Sequence, residues 1–203
     1  ICADFDSIGS PGYFLWIDDF RDDRQSLVRL KGLNQIVNLL ASQGKPVVRL
    51  YGGFFSMLLS DRGLSGFSFG PGYGSSKRAF AFSRKGGPSI PTYYIKKLHA
   101  AYQLDEAESL LRRHKEFLCD CAVCVTFCGR NLDNFKDMKA SGRCQSHFLN
   151  VRGQELALLK SKNGLAIILD DLQDTIHKLN VPHTQHLSAW LAAIGKVVER
   201  VAL

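Results

Sequence analysis

Apolar and polar residues follow two different patterns in the two halves of the chain. In the first half, short apolar runs at 13–18, 46–53, 64–70 and 92–95 alternate with segments of helical periodicity. The run YFLWID at 13–18 shows almost no polar alternation, as expected for a strand that is buried on both faces. Apolar residues recur at helical spacing over 30–42, between the first two runs. This alternation of strand and helix predicts a parallel sheet with crossover helices.

The second half of the chain shows helical periodicity only. Asp105 is placed to cap a helix over 105–118. The change of pattern predicts a β/α part at 1–103 and a helical part at 104–203. The segment 70–90, which contains serine and glycine, is predicted to be a loop. Further helical patterns follow at 131–140, 148–161, 165–179 and 185–202.

Composition places the chain among ordinary globular proteins, with 45% apolar and 22% charged residues in 203. No apolar run approaches the roughly 20 residues that a membrane-spanning helix needs, and no signal-peptide pattern is present. We therefore expect a soluble cytoplasmic protein with no membrane partner. Because the first residue is Ile1 rather than Met, we also expect residues that precede it in the natural protein.

Three of the six cysteines fall within the hexapeptide CDCAVC at 119–124. Disulfides require an oxidising compartment, which the expected cytoplasmic location disfavours. Cys121 and Cys124 have the spacing of a redox C-x-x-C motif, but they follow a predicted helix and have a third cysteine upstream. Three thiolates at 119, 121 and 124 suit one tetrahedral zinc ion, which then needs a fourth ligand.

His147 is our choice for that fourth ligand, 23 residues after Cys124 and just before a helical pattern. Cys128 and Cys144 remain rivals for the position, although a free cysteine commonly packs inside a protein as a small apolar side chain. Four protein ligands leave no open coordination position. The sequence therefore predicts a structural Zn²⁺ that holds the helical part together.

Clustered basic residues account for a formal net charge of +7. Such clusters bind phosphate groups by releasing condensed counterions, although a solvated basic surface is an equally ordinary explanation. The candidate phosphate contacts near the cysteines are Lys96, Lys97, Arg112 and Arg113.

The cysteine motif, taken with two glycine segments upstream, resembles the tRNA-guanine transglycosylase superfamily. C-x-C-x-x-C followed about two dozen residues later by histidine is similar to the zinc motif of that family. VVRLYGGF at 47–54 resembles the family's strand that ends in Gln-Gly-Gly, and GFSFGPGYG at 66–74 resembles its next glycine-rich strand end. The order of these segments is also the family's, and the resemblance covers roughly 45–160.

The resemblance implies a (β/α)8 TIM-type barrel, here partial or divergent, with a zinc-stapled helical C-terminal part. It also implies an enzyme that exchanges guanine in nucleic acid, DNA or tRNA, for a 7-deazaguanine base through a covalent aspartyl intermediate. Relatives from bacteria and phages act on DNA. The sequence leaves a homodimer open. One alternative is a catalytically inactive zinc-containing barrel that binds nucleic acid or a protein, and another is an unrelated zinc-bearing α/β binding protein.

The resemblance further implies a base pocket at the glycine-rich strand ends. There, glycines let a flat ring approach the backbone, and Tyr51 or Tyr73 could stack on it. Tyr51 stands where the family has glutamine, and Pro71 lies in the turn whose N–H groups would bind the base. The glycines of this expected pocket are Gly52, Gly53, Gly70 and Gly72.

No segment of this chain matches the family's nucleophile run, an aspartate before Leu-Pro-Thr-Arg. Asp18 and Asp19 close the first predicted strand, at the end where a barrel builds its chemistry. Adjacent strand residues point to opposite faces, so only one of the two can face the interior. We choose Asp18 as nucleophile, since Phe14 and Trp16 share its parity. The alternatives are Asp19, Asp4, Asp6, a residue before Ile1, or a solvated charged loop with no catalytic role.

Overall fold

The computed structural model describes residues 9–70, 91–128, 132–140, 142–179 and 182–196. The chain forms two compact units. The first unit comprises residues 1–79 and 169–203, and the second unit comprises residues 80–168.

The described residues contain short strands and longer helices. The strands are β1 (Tyr13–Leu15), β2 (Val47–Arg49), β3 (Leu64–Phe67), β4 (Thr92–Ile95) and β5 (Ala100–Gln103). The α-helices are α1 (Leu27–Ala41), α2 (Phe55–Leu58), α3 (Leu104–Arg113), α4 (Ala122–Phe127), α5 (Arg143–Lys160), α6 (Gly164–Leu179) and α7 (Gln185–Ala193). The 3₁₀ segments are Asp22–Arg24, Ser60–Arg62, Lys96–Leu98, Lys115–Phe117, Leu132–Lys139 and Pro182–Thr184.

A parallel three-stranded sheet in the order β1-β2-β3 forms the centre of the first unit. Tyr13 lies opposite Val47, and Val47 lies opposite Leu64. Helix α1 connects β1 to β2, and α2 connects β2 to β3, which confirms the predicted strand–helix alternation. Ser26 caps α1 by accepting a hydrogen bond from the Arg29 N–H at 3.4 Å. The order of strands and helices around this sheet therefore follows the local patterns of the sequence.

Helix α7 completes the core of the first unit. Trp190 is fully buried and stacks on Phe54 with ring centroids 5.8 Å apart. The Asn34 side chain of α1 donates to the Ala193 carbonyl at 3.1 Å, and Arg62 donates to the Ile194 carbonyl at 2.7 Å. A stretch near the end of the chain thereby covers elements that lie near its beginning.

The second unit combines a β-hairpin with helices α3, α4 and α5. Strands β4 and β5 pair antiparallel, with Tyr94 opposite Ala101. The turn between them ends at His99, which adopts a left-handed backbone conformation with φ of 48°. Helix α3 presents a regular apolar face to this core because its buried residues recur at helical spacing. These residues are Leu104, Ala107, Leu110 and Leu111.

The expected (β/α)8 barrel is wrong. In the described part of the chain, three strands form the parallel sheet and two form a separate hairpin. A barrel requires eight parallel strands to close on themselves. The TYYI run forms strand β4, as predicted. The tight turn after β4 reverses the chain, so the next strand, β5, pairs with β4 in the antiparallel direction. From Leu104 onward the described segments are helical, so they supply no strands that would close a barrel.

Candidate metal centre

Three thiols converge in the segment between α3 and α4. Cys119 follows the Lys115–Phe117 turn, Cys121 caps α4, and Cys124 lies in the first turn of that helix. The Cys121 N–H donates to Cys119 Sγ, and the Cys124 N–H donates to Cys121 Sγ, each at 3.4 Å. Backbone donors therefore point at sulfur, and such hydrogen bonds favour the thiolate form.

Helix α5 delivers His147 to the same point. Its Nδ1 lies 3.3 Å from Cys121 Sγ and 3.2 Å from Cys124 Sγ. His147 is fully buried, as are Cys121 and Cys124, whereas Cys119 is half-buried. The 3₁₀ segment Leu132–Lys139 lies between α4 and α5 in the chain and contacts both helices.

The four donor atoms fit one tetrahedral metal ion. The three Sγ atoms and the histidine nitrogen all lie within 4.8 Å of one another. A zinc ion with Zn–S bonds of about 2.3 Å would hold its sulfur ligands about 3.8 Å apart, close to this arrangement. A Cys₃His donor set is also the chemistry of structural zinc sites. The group therefore has the ligand types, the number and the proximity that a metal ion requires.

The two rival cysteines lie outside this group of four. Cys144 is buried on α5, and its thiol donates to the Met138 carbonyl at 3.3 Å. Burial raises the pKa of Cys144 to about 11. Cys128 is buried at the end of α4 and lines a small cavity with Cys119 and Cys124.

Two consecutive tyrosines of β4, Tyr93 and Tyr94, contact the candidate ligands. The Tyr93 ring stacks on the His147 imidazole, with centroids 4.2 Å apart and planes 6° from parallel. The Tyr93 hydroxyl lies 3.1 Å from Cys124 Sγ. Burial, and then the neighbouring Cys124, raise the pKa of Tyr93 far above its ordinary value, so its O–H stays protonated and donates to sulfur.

The Tyr94 backbone carbonyl lies 2.7 Å from His147 Nε2 and accepts its hydrogen bond. This contact places a proton on Nε2, so Nδ1, which faces the thiols, is the nitrogen positioned to bind a metal. A second hydrogen bond of this kind is the usual means by which proteins orient a metal-binding histidine.

Hydrogen bonds among the three thiols affect the pKa of Cys121. Those from Cys119 and Cys124 lower the pKa of Cys121 far below that of an ordinary thiol, although burial opposes the change. A metal ion bound here would hold the sulfurs as thiolates and release their protons.

Of the residues expected to bind a base, Tyr51, Gly52 and Gly53 follow β2 and Gly70 follows β3. Tyr51 has a left-handed backbone with φ of 55°, and its ring lies 6.2 Å from that of Trp16. The Gly52 N–H donates to the Ser68 carbonyl at 2.8 Å. Gly70 is the last described residue of this segment, and Gly72 and Tyr73 lie outside the described residues.

Internal packing accounts for the glycine pair without a ligand. A side chain at Gly52 would collide with the Ser56 hydroxyl. One at Gly53 would come within 2.7 Å of Asp22 Oδ2, to which the Gly53 N–H already donates at 3.0 Å.

Asp18 and Asp19, expected to be catalytic, lie in an exposed turn after β1, and Asp19 has φ of 47°. The buried acid of this region is instead Asp22, which sequence reasoning missed. Asp22 Oδ1 pairs with Arg49 Nη2 at 2.6 Å, and Arg49 Nη1 donates to Ser56 Oγ at 2.9 Å. An arginine inside the apolar run VVRL was the available signal, because a buried guanidinium requires a partner.

The four expected phosphate contacts lie on two elements of the second unit. Lys96 and Lys97 are half-buried in the turn after β4, and the Lys96 ammonium donates to Gln154 Oε1 at 3.0 Å. Arg112 and Arg113 are exposed in the last turn of α3, where Arg112 pairs with Glu108 at 2.8 Å.

Comparisons with known proteins give no relative for this chain: no protein-family model, no curated protein and no solved structure matches it. In the described residues, no helix combines the length and the apolar character that crossing a membrane would require.

Proposed function

We propose that this chain acts on guanine in nucleic acid, exchanging it for a 7-deazaguanine base, with a structural zinc ion stabilising the fold. The observation that carries the proposal is the convergence of Cys119, Cys121, Cys124 and His147 on one point. These residues form the C-x-C-x-x-C and histidine set by which the sequence resembles guanine transglycosylases. The proposal rests on the site rather than on a barrel, because function is determined by sites placed on folds.

The zinc ion has no catalytic role in this proposal. Four protein ligands would fill the coordination positions of a tetrahedral ion, which would leave no position for water or substrate. When bound, the ion supplies the cross-link between α4 and α5, and the base exchange falls to side chains of the first unit.

The carboxyl edge of the parallel sheet is the region that suits the exchange. Strands β1 and β2 are paired and parallel, so their carboxyl ends lie at the same edge of the sheet. The turn with Asp18 and the turn with Tyr51 both begin at that edge. Trp16 and Tyr51 place two aromatic rings there, and aromatic faces commonly hold an extruded base. Asp22 is buried and paired with Arg49, so among the described acids near this edge the exposed residues Asp18 and Asp19 are the candidates for the attacking carboxylate.

The exchange would proceed in two displacements. A carboxylate oxygen of Asp18 bonds to the anomeric carbon while the bond from that carbon to guanine breaks and guanine takes up a proton. The incoming base then attacks the same carbon, gives up its ring N–H proton and releases the carboxylate. Asp19 is the second carboxylate available for these proton transfers.

Labelled-guanine exchange tests this function. The wild-type chain should incorporate labelled guanine or a 7-deazaguanine into DNA or tRNA, and a covalent adduct should be trapped on denaturing gels. Asp18→Asn should abolish both, and Asp61→Asn, which alters an exposed aspartate of the Ser60–Arg62 turn, should alter neither. Full activity in Asp18→Asn, together with loss of activity in Asp19→Asn, would identify Asp19 as the nucleophile. Absence of exchange and adduct with either nucleic acid would contradict the proposal.

A zinc-containing nucleic-acid-binding protein without catalysis is the second candidate. The uneven distribution of charge favours it, because the second unit has 14 Lys and Arg against 8 Asp and Glu. The first unit has 12 against 11 and is nearly neutral. Salt-sensitive binding without exchange or covalent adduct would identify this function.

A further inference from the structure

A cluster of four buried polar side chains lies in the second unit beside the metal ligands. Glu155 Oε1 accepts hydrogen bonds from the Tyr94 hydroxyl at 3.0 Å and from His99 Nδ1 at 2.9 Å. Glu155 Oε2 lies 2.9 Å from Arg152 Nη1. The buried cluster is defined by Tyr94, His99, Arg152 and Glu155, each no more than 9% exposed.

Stability alone gives a weak reason for such a cluster. Removing charged groups from water is costly, and apolar residues of similar size often stabilise a core equally well. The hydrogen bonds of such a cluster instead hold one arrangement of the elements that carry them. The question is therefore which arrangement this cluster fixes.

Tyr94 connects the buried cluster to the metal ligands. Its hydroxyl donates to Glu155, and its backbone carbonyl accepts from His147 Nε2. Glu155 and His147 are both on α5, eight residues and thus about two turns apart, so they lie on the same side of that helix. Tyr94 of β4 therefore forms two hydrogen bonds with α5, one with Glu155 and one with the candidate metal ligand His147.

We infer that the buried cluster is a positioning device for the metal centre. It fixes the Tyr94 carbonyl against α5, and that carbonyl fixes the His147 ring with Nδ1 toward the three thiols. Loss of the cluster leaves the four ligands in place but lets the imidazole turn and the metal leave more readily.

The Arg152 side chain supports this assignment independently of the hydrogen bonds. Its guanidinium lies 5.1 Å from the Tyr94 ring centroid and 5.2 Å from that of Phe148, the residue next to His147. Burial by itself would raise the pKa of Glu155, but Arg152 and His99 hold that pKa below its ordinary value. Glu155 therefore stays ionised and keeps accepting from Tyr94.

Metal release is the property to measure. Zinc-loaded wild type, Glu155→Gln and Tyr94→Phe are mixed with a chromophoric chelator, and the release rate is followed by absorbance. Both variants should release zinc about 10–100-fold faster than wild type, the range typical for loss of a group behind a metal ligand. Tyr94→Phe keeps the ring and removes only the hydroxyl, so it decides the question even where Glu155→Gln fails to fold.

Two controls separate positioning from general weakening. Glu108→Gln removes a carboxylate whose ion pair with Arg112 lies on the exposed part of α3, and its release rate should equal that of wild type. Leu104→Ala weakens the buried face of α3 in the same unit and should lower the melting temperature without comparable release.

A nuclear magnetic resonance signal provides a second readout. The His147 Hε2 proton should exchange slowly with water in the wild type, because Nε2 donates to Tyr94. It should exchange faster in Tyr94→Phe and Glu155→Gln. Wild-type release rates in both variants, or equally fast release from Leu104→Ala, would overturn the inference. A chain that binds neither zinc nor cobalt would overturn it together with the metal centre.

Discussion

At the scale of single residues, the sequence predicted the three cysteines and the histidine that converge but not the groups that contact them. Cys119, Cys121 and Cys124 lie within six positions, so their proximity follows from the chain itself. Tyr93 and Tyr94 lie far from them in sequence and reach them only through the pairing of β4 with the helices. Each tyrosine has an ordinary reason to occur in a strand, so nothing in the local pattern identifies its role.

Tyr93→Phe tests the hydroxyl that faces sulfur. The variant keeps the ring stacked on His147 and removes the hydrogen bond to Cys124 Sγ. Zinc affinity should fall about tenfold, or about 1.4 kcal/mol, because the thiolate loses a donor. Competition with a chelator of known affinity measures the change. Unchanged affinity would show that the hydroxyl contributes nothing to metal binding.

The buried pair of Asp22 and Arg49 gives a prediction for the first unit. Asp22→Ala should destabilise that unit by about 3–5 kcal/mol, because it leaves a guanidinium buried without its carboxylate. The double variant Asp22→Ala with Arg49→Met should cost less than the sum of the two single changes.

Urea unfolding of the four proteins of this cycle measures the coupling between Asp22 and Arg49. Asp61→Ala, at an exposed position, is the matched control and should change the free energy of unfolding by less than about 0.5 kcal/mol. Strictly additive effects of the two buried changes would contradict the prediction.

At the scale of elements, the sequence predicted where strands and helices occur better than how they pair. TYYI reads as a strand and forms one, yet periodicity says nothing about whether its neighbour runs parallel or antiparallel. The deciding feature is the turn at Lys96–Leu98, closed by His99 in a left-handed conformation. Histidine adopts that conformation more often than most residues, but any residue other than glycine does so rarely. The sequence therefore did not reveal the hairpin that replaces the expected barrel strand.

Metal removal should affect the helices of the second unit selectively. Helix α4 has only six residues, too few to be stable in water without tertiary support. Chelation should therefore raise amide exchange in α4 and in Leu132–Lys139 by at least about 100-fold, since metal binding energy is folding energy in such sites. Helix α1, whose buried residues pack within the first unit, should keep its protection.

Hydrogen exchange with mass spectrometry measures both segments in one experiment. Restoration of protection by added zinc is the control that separates metal loss from damage by the chelator. Equal protection of α4 with and without metal would contradict the prediction.

At the scale of the whole molecule, contacts distant in sequence determine what no local pattern shows. The hydrogen bond from Asn34 to the Ala193 carbonyl joins residues 159 positions apart. Such contacts depend on the complete packing of α1, α7 and the sheet. The difference in charge between the two units could not be predicted either. The basic residues can be assigned to one unit only after the structure has defined the bounds of the units.

Salt dependence tests whether that charge meets phosphate. Binding of the wild type to a short DNA or RNA duplex should weaken steeply as salt rises. Lys96→Gln with Lys97→Gln should reduce the slope of log K against log salt by about 1–2, as expected when two phosphate contacts are lost. Lys178→Gln, an exposed lysine of α6, is the matched control and should leave the slope unchanged. A flat dependence in the wild type would exclude phosphate contacts as the source of binding.

The content of metal in the purified chain tests the central claim most directly. Elemental analysis of wild type, Cys128→Ser and Cys144→Ser should give one zinc per chain, because neither cysteine belongs to the converging group. Cys121→Ser should lose the metal and melt at a lower temperature, and cobalt substituted into the wild type should show the absorption of a tetrahedral site with thiolate ligands. Absence of zinc from the wild type, or a Cys121→Ser variant with unchanged metal content and melting temperature, would contradict the account.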